Sequence, residues 1–480
     1  MESIVAVTRD ILKETESFIQ FEAKFIPVLA ELVCTQVAEA FEELDDQLCL
    51  GKDWEILRRD KRTVQCLFGT LQFRRRLIRS KDGKQSYPLD TKLGLARGRR
   101  YSPMMMAQVA NLASHTVLRT VSMAVDAFTP GSISFQTVDK IYQQVGADLK
   151  EVEAAKATAA ATSNEPKRVV SRLFIEGDAF QIKLKGGRRT YVHRLQVSEG
   201  VENNGKRHQL INRKVFSGLD RERVFDQMSA YLDAHYDNKT TEIITGSDNG
   251  SGYEPNVFQV FAKTRKQHTH ILDVYHLNNK LKERFNMMPV ELKQRLRKAI
   301  FTGDHKRMNT VMDTAEAIVT GSEEYDQDDV ENVESLRNYL DRNWTSIAPL
   351  TSVDWHHTGL GSCESNHRAY TYRLKKQGRS WSVPGLNAML EIIDAVQNHE
   401  LAESLSQTTV FDTPLPSVDP ESVQIPKDFS LKTLFGGFAR ADGEHVEHIG
   451  ARHGVIDAQG LSGTSFGRMA HSLNNLNPVG

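Results

Sequence analysis

The chain is poor in the features that mark several large protein classes. Its four cysteines, Cys34, Cys49, Cys66 and Cys363, are scattered over 480 residues without a Cys-x-x-Cys pair. Neither a disulfide framework nor a zinc ribbon is expected, and the thiols read as those of a reduced, cytoplasmic protein. No run of about 18 apolar residues occurs, so no membrane span is expected. The opening MESIVAVTRDILKETESF has no basic head followed by an apolar block, which argues against a signal peptide. There is no GxxxxGK[ST] loop, so no nucleotide cofactor is indicated. There is no GxSxG elbow after a strand either, which disfavours serine hydrolysis. What remains, 39% hydrophobic and 26% charged residues, is ordinary for a globular chain. Its length suggests roughly three domains.

The net charge of −1 conceals opposed blocks. Residues 1–51 hold three basic side chains (Arg9, Lys13, Lys24) against eleven acidic ones, net −8; residues 52–100 hold fifteen against five, net +10. Such a block is either a solvated basic face or a local site for a polyanion.

Residues 5–47 carry apolar side chains at helical spacing and read as one or two amphipathic helices. In Arg62–Ile78, two β-prone runs flank Gly69 and read as a hairpin whose second strand carries Arg74, Arg75, Arg76 and Arg79. Ser102-Pro103 opens a helix, a second covers roughly Val117–Phe128, and Thr129-Pro130-Gly131 breaks the chain. Ser134 caps a third. This is the outline of a helix-turn-helix or of any helical hairpin. Beside the basic block, the start of the third helix (Ser134, Gln136, Thr137) is the candidate base-reading element.

Strand periodicity takes over from Val169. Arg172–Glu176, Phe180–Leu184 and Tyr191–Val197 read as three successive antiparallel strands. A helix over about Asp220–Tyr236, a strand at Glu242–Thr245, a short helix at Tyr253–Phe261 and a strand at His270–Leu272 follow. From His276 to about Leu340 the pattern is helical, with an acidic, non-periodic stretch at Glu323–Asp329. Another helix starts near Ser362 and runs through Glu364. The segmentation expected is 1–51 (helices), 52–150 (basic hairpin and helix-turn-helix-like region), 168–275 (sheet core), 276–355 (helical insertion), 356–405 (final helical region) and 406–480 (a loosely ordered tail).

Asp178 and Asp248 each follow an apolar strand, in Ile175-Glu-Gly-Asp178 and Gly246-Ser-Asp248-Asn-Gly. Active groups gather where strands end. Two aspartates on adjacent strand ends repel unless a cation lies between them, and carboxylates suit Mg²⁺ or Mn²⁺. Glu364, in a Gly-rich turn entering a helix, is the candidate third carboxylate. A two-ion carboxylate site is a usual device for phosphodiester chemistry. A glycosidase would also use paired carboxylates but would not need the basic block.

The element order resembles the RNase H-like fold of DDE transposases, with a helical insertion before the final Glu. The motifs just quoted, together with Glu364-Ser-Asn-His-Arg, Tyr372-Arg and Gly378-Arg-Ser-Trp-Ser, look like those of bacterial insertion-sequence transposases of the ISLre-two group, related to the Mutator-like enzymes. So do Phe68-Gly-Thr-Leu-Gln-Phe-Arg-Arg-Arg and Pro88-Leu-Asp-Thr-Lys-Leu-Gly-Leu. The resemblance implies an α/β fold: an RNase H-like catalytic domain preceded by a mostly helical DNA-binding region containing a β-hairpin. It implies Asp178, Asp248 and Glu364 as ligands of two Mg²⁺ or Mn²⁺ ions. Asp273-Val-Tyr-His276 looks like the Cys/Asp-x-x-His signature, a supporting pair near the scissile phosphate. The partners implied are double-stranded DNA, at terminal inverted repeats and at the target, and further copies of the chain in a homodimer or larger assembly on DNA. The expected location is the nucleoid-associated cytoplasm.

Arg368, Arg373, Lys375, Lys376 and Arg379 follow Glu364 as either a solvated basic face or phosphate contacts. Trp381 reads as core in preference to a base-stacking residue. Two other functions compete with strand cleavage and transfer: a non-catalytic DNA-binding protein derived from a transposase, and an RNase H-like nuclease that cuts without joining.

Overall fold

A computed structural model describes residues 4–50, 54–162, 166–204, 207–352 and 358–407. The expected loosely ordered tail lies outside them. The described residues all belong to one contact unit, Met1–Pro420. No described helix is long and apolar enough to cross a membrane.

The N-terminal helices are α1 (Ile4–Lys13) and α2 (Phe18–Cys49), the second capped where the Ser17 hydroxyl accepts from Gln20 N. The hairpin follows as β1 (Glu55–Cys66) and β2 (Gly69–Arg79), with a short third strand β3 (Gln85–Ser86) on the other edge of β2. Alternation in β2 turns Leu71, Phe73 and Leu77 inward. Leu71 and Phe73 meet Cys34 and Ala38 of α2 and Leu89 of α3 (Pro88–Lys92). Each fully buried side chain of this size contributes about 1.5–3 kcal/mol.

Three helices come next: α4 (Pro103–His115), α5 (Leu118–Phe128) and α6 (Phe135–Thr162). Ser102 and Ser134 cap α4 and α6 by accepting from Met105 N and Thr137 N. The Ala-rich stretch 151–167, which in sequence reads as a linker or the end of a long helix, is the end of α6 as far as Thr162, because alanine is the best helix former.

The central sheet holds five strands: β4 (Arg172–Lys183), β5 (Arg189–Ser198), β8 (Lys214–Gly218), β9 (Glu242–Ser247) and β10 (His268–Leu272), in the spatial order β10-β9-β4-β5-β8. β4, β5 and β8 are antiparallel; β9 and β10 run parallel to β4. A two-stranded ribbon, β6 (Val201–Asn204) and β7 (Arg207–Leu210), lies between β5 and β8 in sequence. This corrects the strand reading. Arg172–Glu176 and all of Phe180–Leu184 but its last residue belong to one continuous strand, and the third antiparallel strand is Lys214–Gly218. Gly177 and Asp178 interrupt the apolar run but not the ladder, since they pair with Leu195 and Arg194 of β5.

The sheet is covered on both faces. Leu173 and Ile175 pack with Val224 and Met228 of α7 (Arg221–His235) and with Phe258 of α8 (Pro255–Phe258). On the other face Phe174, Ile244 and Ile271 meet a helical layer of α9 (Val274–Phe285), α10 (Val290–Phe301), α11 (His305–Gly321) and α12 (Gln327–Ile347). The acidic Glu323–Asp329 stretch holds the break before α12 and the helix's first turn, which is closed by an Asp326–Asp329 capping box. Finally α13 (Cys363–Leu374) packs against β4, and α14 (Val383–Gln397) and α15 (Leu401–Gln407) against α6. At the α6–α14 crossing a Cβ on Gly146 would stand 2.5 Å from Ala388 Cα, so only glycine permits that approach.

Candidate active site

The parallel pairing of β4, β9 and β10 stops at one level of the sheet. β4 pairs with β9 only as far as Glu176 opposite Gly246, and β10 with β9 as far as Leu272 opposite Ser247. The next residues past each of these points include Asp178, Asp248 and Asp273. Asp178 sits inside β4, not at its end, but just past the place where its parallel neighbour stops.

Asp178 Oδ1 accepts from Ala179 N at 2.6 Å, and its Oδ2 lies 3.5 Å from His367 Nδ1. Tyr253, itself in contact with His193 Nδ1 at 2.9 Å, donates its hydroxyl to the Asp178 carbonyl. Asp248 accepts from Gly250 N at 2.8 Å; a Cβ on Gly250 would stand 2.9 Å from the same oxygen. Asp273 caps α9 by accepting from Tyr275 N at 2.7 Å, while its Oδ2 lies 3.2 Å from His276 Nδ1.

All three carboxylates act on His276. The hydrogen bond to Asp273 chiefly, and the charges of Asp273, Asp178 and Asp248 besides, push the His276 imidazole up to about 9 despite its partial burial. It is therefore an imidazolium at neutral pH. Burial pushes Asp273 up, but its bonds to His276 and Tyr275 N outweigh that and hold it below the ordinary carboxylate range. His367 differs: burial, helped by Arg194 and His276, lowers it to about 3, so its ring is neutral.

Glu364 stands in the first turn of α13, and its side chain lies outside the described residues. The turn that carries it is moored to the sheet by two buried groups that sequence reasoning passed over. Glu176 accepts from Gly361 N at 2.5 Å, the Ser362 hydroxyl at 2.9 Å and Cys363 N at 3.1 Å. Burial raises the Glu176 carboxyl to about 7, against the pull of these donors. From β5, Arg194 donates to the Cys363 carbonyl at 3.0 Å and to Gln196 Oε1 at 2.7 Å. A Glu inside an apolar strand, in the quoted Ile-Glu-Gly-Asp motif, was the available signal.

A second network stands behind Asp248. Asn249 is left-handed, with φ 57°. Its amide donates to Asn343 Oδ1 at 2.8 Å and Ser346 Oγ at 3.2 Å on α12, and its carbonyl meets His270 Nε2 at 2.8 Å. His270 continues to Thr245 Oγ1, which also meets His268. The helical layer thereby grips the residue next to Asp248.

The predicted DNA contacts separate into two sets. Arg74, Gln136, Arg368, Lys375 and Lys376 are exposed, as is Arg79, paired with Glu55 at 3.0 Å. Ser134 and Thr137 hydroxyls lie 3.1 Å apart and serve the α6 cap; Arg379 is half-buried. The other set is taken up by the fold. Arg75 is buried, paired with Asp90 at 2.7 Å and stacked 3.8 Å from the Tyr87 ring centroid. Arg76 bridges Asp45 at 2.7 Å and Asp46 at 2.5 Å. Arg373 is buried, donates to the Ala113 carbonyl at 2.5 Å and lies 4.8 Å from the Trp381 ring centroid. Arg75 and Arg373 have no surface left for a phosphate, and Trp381 is core as expected.

Carboxylate oxygens at the strand ends suit a hard divalent ion. Among the described residues no group of three or more acidic, His or Cys side chains is placed to hold a metal. Of the three carboxylates expected to hold the ions, Asp178 and Asp248 have described side chains and Glu364 does not.

Residues 11–404 match the model of an uncharacterised protein family, UPF0236. The chain belongs to that family. The UPF0236 protein in vanSb 3'region of Streptococcus gallolyticus is 32% identical over 402 residues, 82% of this chain and 86% of that relative. A UPF0236 protein of Caldanaerobacter subterraneus is 24% identical over 399 residues, 82% of this chain and 81% of its own length. Among solved structures, the Drosophila P element transposase strand transfer complex overlaps 65% of this chain and 95% of its own, at 9% identity and a TM-score of 0.28. A score that low shows neither a shared fold nor a shared chemistry.

Proposed function

We propose that this UPF0236 member is a DDE-type transposase: an RNase H-like enzyme that cleaves DNA at the ends of a mobile element and joins the freed 3′-hydroxyl to target DNA. The observation that carries the reading is the placement of Asp178, Asp248 and Asp273 on three adjacent strands just past the point where their parallel pairing stops, with a turn bearing Glu364 anchored to β4 through Glu176. The resemblance of the motifs to the ISLre-two and Mutator-like transposases supports it.

Asp178, Asp248 and Glu364 would hold two Mg²⁺ or Mn²⁺ ions, which supply activation of a water or 3′-hydroxyl and stabilisation of the leaving oxygen. The chain's own residues do the rest. Asp273 holds Nδ1 of His276, which fixes the ring and leaves Nε2–H for a phosphate oxygen. The imidazolium offsets carboxylate charge when DNA is absent. His367 and Tyr253 fix Asp178, and Asn249 fixes the turn after Asp248. Arg74, Arg79, Arg368, Lys375 and Lys376 meet backbone phosphates, and the start of α6 near Gln136 reads bases. The partner is double-stranded DNA, at element ends and at the target, engaged by more than one copy of the chain.

The test is a nicking and strand-transfer assay on DNA flanking the coding frame, in Mg²⁺ and in Mn²⁺. Asp178→Asn, Asp248→Asn and Glu364→Gln should each abolish both steps while leaving DNA affinity nearly unchanged, since phosphate contacts elsewhere carry the affinity. Cleavage without joining would identify a nuclease. DNA binding without cleavage by the wild type would identify a non-catalytic DNA-binding protein.

A further inference from the structure

The first half of α2 is apolar almost all round. Residues 18–33, FIQFEAKFIPVLAELV, contain only three charges, Glu22, Lys24 and Glu31. A helix apolar on every side is ordinarily buried. Here the hairpin covers the second half of α2 through Cys34, Ala38 and Phe41 and reaches back into the first half only at Ala30, beside Gly69. α2 spans 32 residues, or about 48 Å, and its first half runs beyond that contact. α1 packs back on it and buries Ile11, while Phe21 and Phe25 stack with centroids 5.1 Å apart. The remaining side stays open: Phe18 is 72% exposed, Ile19 75%, Ile26 53% and Val33 36%.

That open side has a regular pattern. Ile19, Ala23, Ile26, Ala30 and Val33 recur at intervals of four, three, four and three, the seam of a coiled coil. Along it, large and small residues alternate. When two such helices run antiparallel about a two-fold axis, each Ile of one faces an Ala of the other. The surface is thus complementary to itself, as an isologous dimer contact requires. Residues 18–33 carry net −1, so pairing two copies brings little repulsion, while a polyanion finds nothing to bind. On this half of α2 the open apolar side chains Phe18, Ile19, Ile26, Val28 and Val33 amount to on the order of 500 Å² per copy, the size of a weak, concentration-dependent interface. Pro27, inside the helix, removes one backbone bond and costs roughly 3 kcal/mol in a helix interior, which an added packing partner offsets.

We infer that the α2 seam formed by Ile19, Ala23, Ile26, Ala30 and Val33 is the contact through which two copies of this chain pair, antiparallel and without DNA. This goes beyond the catalytic reading and does not rest on it. The test is sedimentation velocity of the full chain, free of DNA and divalent metal, at concentrations up to about 50 µM, where even a micromolar dimer is populated. The wild type should sediment at twice the chain mass, and Ile19→Leu/Ile26→Leu should do the same. Ile19→Glu/Ile26→Glu buries four carboxylates in the pair and should weaken it at least about 100-fold. Ala23→Trp fills the space the partner's Ile26 requires and should give the chain mass too. All substituted positions lie on the open side of the helix, so each variant should still melt cooperatively, and at concentrations too low for pairing its melting temperature should match the wild type's. A wild type that stays monomeric overturns the inference, as does a dimer that survives either the Glu pair or Ala23→Trp. So does a wild type that is monomeric in solution but pellets with phosphatidylglycerol vesicles, which would make the face a lipid-binding one.

Discussion

His276 Nδ1 lies 3.2 Å from Asp273 Oδ2, one helical turn apart at the start of α9, with Asp178 and Asp248 close enough to act on the same ring. Because the imidazole is raised to about 9, its stabilising contribution is fully present below the unfolded value of about 6.5 and is lost as pH rises through about 9. The difference in unfolding free energy between wild type and His276→Asn should therefore be largest at or below pH 6.5 and shrink toward pH 9.5. The His276 ring protons should titrate near pH 9, and Asp273→Asn should bring that midpoint down by more than one unit. A wild-type midpoint near 6.5 would show the pair is not formed.

Glu176 is expected to matter for activity without touching the reacting phosphate. Glu176→Ala strips the acceptor from Gly361 N, Cys363 N and the Ser362 hydroxyl and should cost about 2–4 kcal/mol. Amide exchange at residues 361 and 363 should quicken, and metal-dependent cleavage should fall with DNA affinity retained. Unchanged exchange at both amides would contradict the anchoring role.

The arginines of β2 should divide by environment. Arg74→Ala should flatten the slope of log affinity against log salt by up to about 0.9, with no loss of stability. Arg75→Ala should instead destabilise by about 2 kcal/mol or more, because it removes one of the two cations facing buried Asp90. Denaturant melts and salt titrations of the two variants distinguish the roles.

Asn249 combines a left-handed backbone with a buried side-chain hub. Asn249→Gly keeps the first and loses the second; Asn249→Ala loses both, and the strain adds roughly 1–2 kcal/mol. The order of melting temperatures should be wild type, then Gly, then Ala. Both variants should need more divalent ion for half-maximal cleavage, because the turn holding Asp248 loses its grip on α12. A Gly variant with the wild-type metal requirement would confine Asn249 to stability.

Local chemistry made much of this chain legible in sequence order. Ser102 and Ser134 announce helix starts because a side-chain oxygen meets a free backbone N–H within three residues, whereas the Asp326–Asp329 box lies in a stretch that reads only as acidic and non-periodic. The hairpin around Gly69, the strands read at 242–245 and 270–272, and the aspartates beyond them are carried by short-range patterns of the same kind. The tertiary structure alone decided the rest, because those outcomes depend on partners far away in the chain. β4 runs unbroken through Gly177 and Asp178 because β5 supplies ladder partners there. Arg75 and Arg373 look like neighbouring surface arginines in sequence, yet Asp90, Tyr87, Ala113 and Trp381 enclose them. Glu176 gains its role from a turn 185 residues away, and Asn249 from a helix 94 residues on. Sequence periodicity reports which face of an element is apolar; which buried charge finds which partner is set only when the elements pack.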